Sequence, residues 1–270
     1  MYKFLSWITY LFFVPFVLIA LGINVIVLAN RSNKYRTNNN IYLPEQRYWW
    51  IMKFIKKAFY VKRIKVDAEG LDNLVKSPML IIANHKSNAD SLAMFKVLYA
   101  HRNSKHNKFE FVFIAKQELS QKRFLSKILN LADVLYLDRK NPRQQVGVYN
   151  EEIRQVKEQK KSIVVFIEGT RHFGDQFGEF HPGALRLAYD TMIPIVPMAI
   201  YGSSGLMDSN KSNIDKHRKI MFKIFKPLNP YEFKHNHTQW LAERLREDMQ
   251  SAYDEMAKKA RAKKKPSGTK

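Results

Sequence analysis

From Phe4 to Asn30 the chain carries no charged residue, and Leu, Ile, Val and Phe fill most of that stretch. Such a run must find apolar surroundings. It exceeds the ~20 residues that a helix needs to cross a bilayer. A cleavable leader would be shorter and would end in a small-x-small site, which does not follow here. The run is therefore read as a membrane helix. Pro15 and Gly22 interrupt it, so a bent helix or a helical hairpin entering one leaflet also fits. Arg31, Lys34 and Arg36 follow at once, against Lys3 and the amino terminus on the other side. That asymmetry favours a cytoplasmic location for the rest of the chain.

Residues 47–63 form a second expected membrane element. Tyr48, Ile51, Phe54, Ile55, Ala58 and Phe59 recur at helical spacing, with Lys53, Lys56 and Lys57 largely on the other side. Trp49 and Trp50 stand near its start. The periodicity fits an interfacial amphipathic helix or a core-facing helix with a solvated lysine face. Adjacency to the first apolar run favours the membrane. The chain thus divides into a membrane-anchoring segment (1–63), one folded domain (64–257) and a lysine-rich tail (258–270). The tail is expected to be disordered and suits contact with anionic lipid.

There are 46 basic residues against 24 acidic ones, a net charge of +22. Such a surface attracts polyanions: nucleic acid, anionic head groups or phosphorylated substrates. No nucleic-acid-binding motif accompanies the charge, and many aromatics cluster near the membrane segments. A membrane-tethered nucleic-acid-binding protein therefore ranks below a lipid-directed one, and no nucleic-acid partner is expected. The chain has no cysteine. That removes thiol nucleophiles, thiolate zinc sites and iron–sulfur clusters. No ligand cluster is visible, so no metal is expected.

From Val66 onward short apolar segments alternate with helical ones. Met79–Ala83, Phe109–Ile114, Val134–Leu137, Ile163–Ile167, Ile195–Ile200 and Ile220–Phe225 read as strands. Ser91–Ala100, Gln117–Leu131, Arg143–Lys160, Gly183–Tyr189 and Gln239–Ala262 read as helices. The alternation predicts an α/β domain whose sheet, largely parallel or mixed, is flanked by helices.

Two strand ends carry chemistry. Asn84 and His85 follow Met79–Ala83, and Asp90 stands five residues after His85. Ligands of α/β sheets bind beyond the carboxyl ends of strands. A carboxylate on one imidazole nitrogen fixes the tautomer, and the other nitrogen can then take a proton from a hydroxyl. Asp90 could equally cap the helix that begins there, and His85 could be an ordinary loop histidine. The second block, Glu168-Gly169-Thr170-Arg171, follows Ile163–Ile167. Gly169 permits a tight turn, and Arg171 offers a planar fork suited to phosphate. Glu168 could orient that arginine or bind a substrate hydroxyl. A strand end with a surface Glu–Arg pair is the plainer alternative.

Together these residues resemble the glycerolipid acyltransferase family, specifically its lysophosphatidate acyltransferases. The family's Asn-His-x4-Asp block is matched by Asn84, His85 and Asp90, with Ser87 in place, and its Glu-Gly-Thr-Arg block by residues 168–171. Between them, Val134–Arg139 resembles an apolar stretch ending in arginine, and Ile193–Pro197, with Pro194, resembles a later Pro-rich strand. Lys116 resembles a family lysine that contacts the acceptor phosphate. Four blocks in order over residues 84–197 are far more specific than any one. Ile167, His172 and Pro182 depart from the common pattern without touching the proposed acid–base pair.

The resemblance implies acyl transfer from acyl-CoA or acyl carrier protein to the free sn-2 hydroxyl of lysophosphatidic acid, with no other cofactor. His85 would be the general base and Asp90 its orienting carboxylate. Lys116, Arg139, Glu168, Gly169, Thr170 and Arg171 would form the substrate site. Glycerol-3-phosphate or another lysophospholipid as acceptor fits the same blocks. The remaining histidines (His101, His106, His172, His181, His217, His235, His237) read as surface or loop residues.

Overall fold

Four-residue strands such as Leu-Ile-Ile-Ala are too apolar to tolerate solvent on either face, and the fold buries them in the middle layer of three. The structure, a computed structural model, describes residues 2–76, 78–104, 110–207 and 218–262. Seven strands form one mixed sheet in the order β1-β7-β6-β2-β5-β3-β4. They are β1 (Lys65–Glu69), β2 (Leu80–Ala83), β3 (Phe111–Lys116), β4 (Leu135–Leu137), β5 (Ser162–Phe166), β6 (Ile195–Tyr201) and β7 (Lys219–Ile224). β6, β2, β5, β3 and β4 run parallel, and β7 pairs antiparallel with β6.

Alternate residues of each strand supply two cores, as the strand period of two requires. Ile81 and Ala83 join a core with α2 (Pro44–Lys62), α3 (Ala89–Ser104) and α4 (Leu125–Leu131). Leu80 and Ile82 join the opposite core with α6 (Arg186–Thr191), the short α7 (Pro230–Phe233) and α8 (Thr238–Ala262). On that face α5 (Pro142–Lys157) also packs, through Val156. α5 starts where Asn141 accepts a hydrogen bond from the Gln144 amide at 3.2 Å and Pro142 opens the first turn.

Several elements depart from expectation. β1 was not expected as a strand, because Lys-Val-Asp-Ala-Glu is poor in strand formers. Its charges suit an exposed edge: Asp67 and Glu69 pair with Lys219 and Lys223 on β7 at 2.5 and 2.7 Å. The helix expected over Gln117–Leu131 is broken. A 3-10 turn over Gln117–Gln121 ends at Lys122, whose ψ of 110° is extended, and α4 begins only at Leu125. The expected helix over Gly183–Tyr189 opens as a 3-10 turn, Pro182–Leu185, before α6.

α1 (Tyr2–Thr37) is one continuous helix, carried through Pro15 and Gly22. The chain does not reverse, so the helical hairpin is replaced by a rod about 54 Å long. α1 lies antiparallel along α2. The Tyr10 hydroxyl donates to Val61 O (2.7 Å), Lys57 Nζ to Ala20 O (3.3 Å), and Arg31 stacks on Trp50 (3.8 Å). Its outward face is apolar: Phe12, Phe16, Ile19, Ile23 and Ile26 are exposed. The segment Thr9–Thr37 is long and apolar enough to cross a membrane.

The stripe of residues 47–63, expected against the membrane, is packed inside the protein instead. Tyr48, Ile51, Met52, Ile55 and Phe59 are buried in the core beside α3. Their spacing was compatible with either partner, and the apolar underside of the sheet domain was the nearer one. Trp49 and Tyr60 remain exposed. The first residues of the expected basic tail continue α8 to Ala262, and 263–270 lie outside the described residues.

Arg47 ties the three helices together. It is 3% exposed and stacks on Tyr35 of α1. It also pairs with Asp133 at 2.9 Å and donates to Leu131 O at 2.8 Å. Arg47→Met should destabilise the protein by about 3 kcal/mol, the low end for a broken buried pair, because Asp133 keeps Lys161 and the Tyr35 hydroxyl. A denaturant titration in detergent checks this, and an unchanged midpoint would remove Arg47 from that role.

Candidate active site

Five parallel strands end on one edge of the sheet, and the loops beyond those ends build the site. β2, β5, β3 and β4 are consecutive neighbours, so residues 84–90, 167–171, Lys116 and Arg139 emerge side by side. The turn after β2 is tied to the last strand of the set. The Asn84 carboxamide donates to Ile200 O (3.0 Å) and accepts from Ile200 N (2.7 Å), extending the β2–β6 ladder with a side chain. The main chain is thereby released to turn at His85. Ser87 Oγ donates to Leu206 O in the loop after β6 and accepts from the Ala89 amide at 3.1 Å.

Asp90 sits in the first turn of α3 and does not cap it. Its carboxylate reaches back, and a single oxygen, Oδ2, meets three partners. These are the amides of Lys86 (2.7 Å) and Ser87 (2.8 Å), and His85 Nδ1 (2.9 Å). The other oxygen is buried without a partner among the described residues. Asp90 is fully buried, whereas the His85 side chain is 18% exposed. A carboxylate can only accept, so this contact assigns the proton to Nδ1 and leaves Nε2 as the basic nitrogen. The imidazole lies flat on Phe166, centroids 4.2 Å apart and planes 18° apart. One bond and one stack fix both the tilt and the rotation of the ring. This arrangement can take a proton from a substrate hydroxyl.

Glu168 is bonded to the backbone on both sides. It is fully buried, and both oxygens are taken by backbone amides: His85 N on Oε1 (2.6 Å) and Gly178 N on Oε2 (2.7 Å). It ties the His85 turn to the loop 170–178.

The basic residues stand around this centre. Gly169 has φ +66°, and a Cβ there would lie 2.5 Å from a guanidinium nitrogen of Arg139. The missing side chain is therefore the seat of Arg139. Partial burial lowers the pKa of that arginine, and the Glu118 carboxylate opposes the shift. Lys116 ends β3 beside Leu137 of β4, two residues before Arg139, and is exposed. Thr170 and Arg171 are exposed on the loop. Pro194 is not at the site. It precedes β6 at the opposite end of the sheet, where its carbonyl accepts from the Leu80 amide.

The structure brings further residues to the site. His172 donates its amide to His85 O (2.9 Å), and its ring packs over Gly178, so it belongs to the site loop. Lys86 is 1% exposed and donates to Gln176 O at 2.5 Å. His101 is buried on α3 rather than at the surface. His181, His235 and His237 are exposed, and His106 and His217 lie outside the described residues. Among the described residues no three His, Asp or Glu side chains group as a metal site.

His85→Ala should abolish turnover while leaving expression and membrane attachment intact. Asp90→Asn should lower kcat by about 10²–10⁴, because the amide can present an N–H to Nδ1 and invert the tautomer. Steady-state assays on purified membranes check both, and near-wild-type turnover in either would remove that residue from the base. Glu168→Gln should lower kcat more than it raises acceptor KM, since the buried carboxylate is bonded to the backbone of the turn and of the loop.

Comparison with known proteins shows the family. The Acyltransferase family model matches residues 65–201. A probable 1-acyl-sn-glycerol-3-phosphate acyltransferase of Mycoplasma genitalium is 35% identical over 228 residues, covering 82% of this chain and 83% of the relative. The 1-acyl-sn-glycerol-3-phosphate acyltransferase of Saccharomyces cerevisiae is 28% identical over 188 residues, covering 69% and 59%. The crystal structure of the 1-acyl-sn-glycerophosphate acyltransferase of Thermotoga maritima superposes with a TM-score of 0.65. That match is at 21% identity and covers 93% of this chain and 97% of that one, so the two share a fold. With the family model matching residues 65–201 and a relative 35% identical over 82% of it, the chain belongs to the Acyltransferase family.

Proposed function

We propose that the protein acylates the free sn-2 hydroxyl of lysophosphatidic acid and so forms phosphatidic acid. The observation that carries this reading is the base. His85 is held by Asp90 on one nitrogen with the other left for a hydroxyl, and Arg139, Lys116 and Arg171 stand on neighbouring strand ends. Three cations suit a dianionic phosphate monoester better than a neutral or zwitterionic head group.

His85 Nε2 takes the acceptor's hydroxyl proton as its oxygen attacks the thioester carbonyl. The C–O bond forms and the C–S bond breaks. The leaving thiolate receives the proton from the imidazolium, whose charge Asp90 stabilises. No acyl-enzyme is needed. Acyl-CoA and acyl carrier protein both present the thioester this requires, and neither adds a cofactor. General-base catalysis supplies ~10²–10⁴-fold, so alignment of the acceptor must supply much of the rest.

The apolar outer face of α1 suits the bilayer, where the acceptor resides. Because α1 lies along α2 for most of its length, we place it in one leaflet beside the catalytic domain. Arg31, Lys34 and Arg36 favour the cytoplasmic side.

An acceptor screen on purified membranes with labelled acyl-CoA and acyl carrier protein thioesters tests the reading. Lysophosphatidic acid should be the preferred acceptor. Preference for glycerol-3-phosphate or for a lysophospholipid with a substituted phosphate would overturn the acceptor assignment. Arg171→Ala should mainly raise acceptor KM, and an unchanged KM would overturn the phosphate role.

A further inference from the structure

Lys86 is a charged side chain placed where a hydrophobic one would serve stability better. It is 1% exposed. Its ammonium donates to Gln176 O at 2.5 Å and lies 5.0 Å from the Phe177 ring and 5.6 Å from that of Tyr253 on α8. Taking an ammonium out of water costs several kcal/mol after relaxation, and exchange of buried ions for hydrophobes is often neutral or stabilising. Burial accordingly lowers the Lys86 pKa, while Glu168, Asp90 and Asp175 oppose the shift. Two of those carboxylates, Glu168 and Asp90, are the fully buried groups that hold His85.

The two ends of this residue serve two parts of the site. Its amide donates to Asp90 Oδ2 at 2.7 Å, in the catalytic turn. Its ammonium grips the loop that carries Arg171. That loop meets the turn through His172 N on His85 O and Gln176 O on Lys86, and Gly178 N binds Glu168, which also accepts from His85 N. Of these, only the Lys86 contact carries a positive charge.

We propose that Lys86 is a positioning residue that locks the 170–178 loop to the His85 turn, so that the acceptor-gripping residue Arg171 and the base are set in one register. This rests on the reading that Arg171 binds the acceptor phosphate. Lys86 touches no substrate. It supplies the countercharge for Asp90 and Glu168 and fixes the loop through Gln176.

The test is a double-mutant cycle between Lys86→Met and Arg171→Ala in the membrane-bound enzyme, with kcat and acceptor KM measured separately. Hydrogen exchange of the 170–178 amides is followed in parallel. Lys86→Met keeps the aliphatic stem and should raise acceptor KM about 10-fold, with a smaller loss in kcat. Exchange at His172 and Gly178 should quicken. In the Arg171→Ala background the Lys86 change should have little further effect on KM, because the two act on one contact. Lys86→Arg, which keeps charge and donors, should recover part of the wild-type KM. Additive effects, or unaltered loop exchange with an unaltered KM, would overturn the positioning role. If Arg171→Ala alone leaves KM unchanged, the phosphate reading fails instead. Loop exchange in Lys86→Met then still decides whether the lysine is a lock.

Discussion

Two carboxylates removed from solvent hold this site together. Asp90 and Glu168 are each buried, and each spends its charge on backbone amides. A carboxylate in such a place is tolerable only when charge-assisted hydrogen bonds replace its water, each contributing about 1.5–3 kcal/mol. Those amides belong to two loops: His85, Lys86 and Ser87 in the turn after β2, and Gly178 in the loop after β5. Removing either charge would leave the amides without partners and the loops without a shared anchor. The precision of His85 follows from this, because both its amide and its ring are bound to these same two groups.

The sheet makes that convergence possible. Parallel strands deliver every loop to the same edge, so residues far apart in the chain meet without long connections. β2, β5, β3 and β4 are neighbours, and so the His85 turn, the Arg171 loop, Lys116 and Arg139 are neighbours too. Gly169 shows how close the approach is: its positive φ and absent side chain admit the Arg139 guanidinium. The same edge also receives the loop after β6, which Ser87 holds through Leu206 O.

Much of this was legible in the chain, and the misses share a cause. Strands buried on both faces read as continuous apolar runs, so β2, β5 and β6 stand out. β1 does not, because an edge strand can carry Lys, Asp and Glu. The stripe on α2 was visible, but periodicity reports only that one face is apolar and not what covers it. Tyr48, Ile51 and Ile55 cover the sheet domain. Pro194 shares a block with the family yet lies at the far end of β6, since order along the chain does not say which end of a strand faces the site.

The sequence by itself determined the residue types and the family they resemble. A histidine five residues from an aspartate and a Glu-Gly-Thr-Arg turn after a buried strand resemble the acyltransferase blocks, and that resemblance, beside an uncharged N-terminal run, implies acyl transfer at a membrane. The contacts of Glu168, Lys86, Phe166 and His172 were decided only by the tertiary structure. Each acts through contacts with groups distant in sequence: an amide 83 residues away for Glu168, a carbonyl 90 residues away for Lys86. Local pattern cannot encode such pairs. They exist only once the sheet has brought the strand ends together and buried the charges between them.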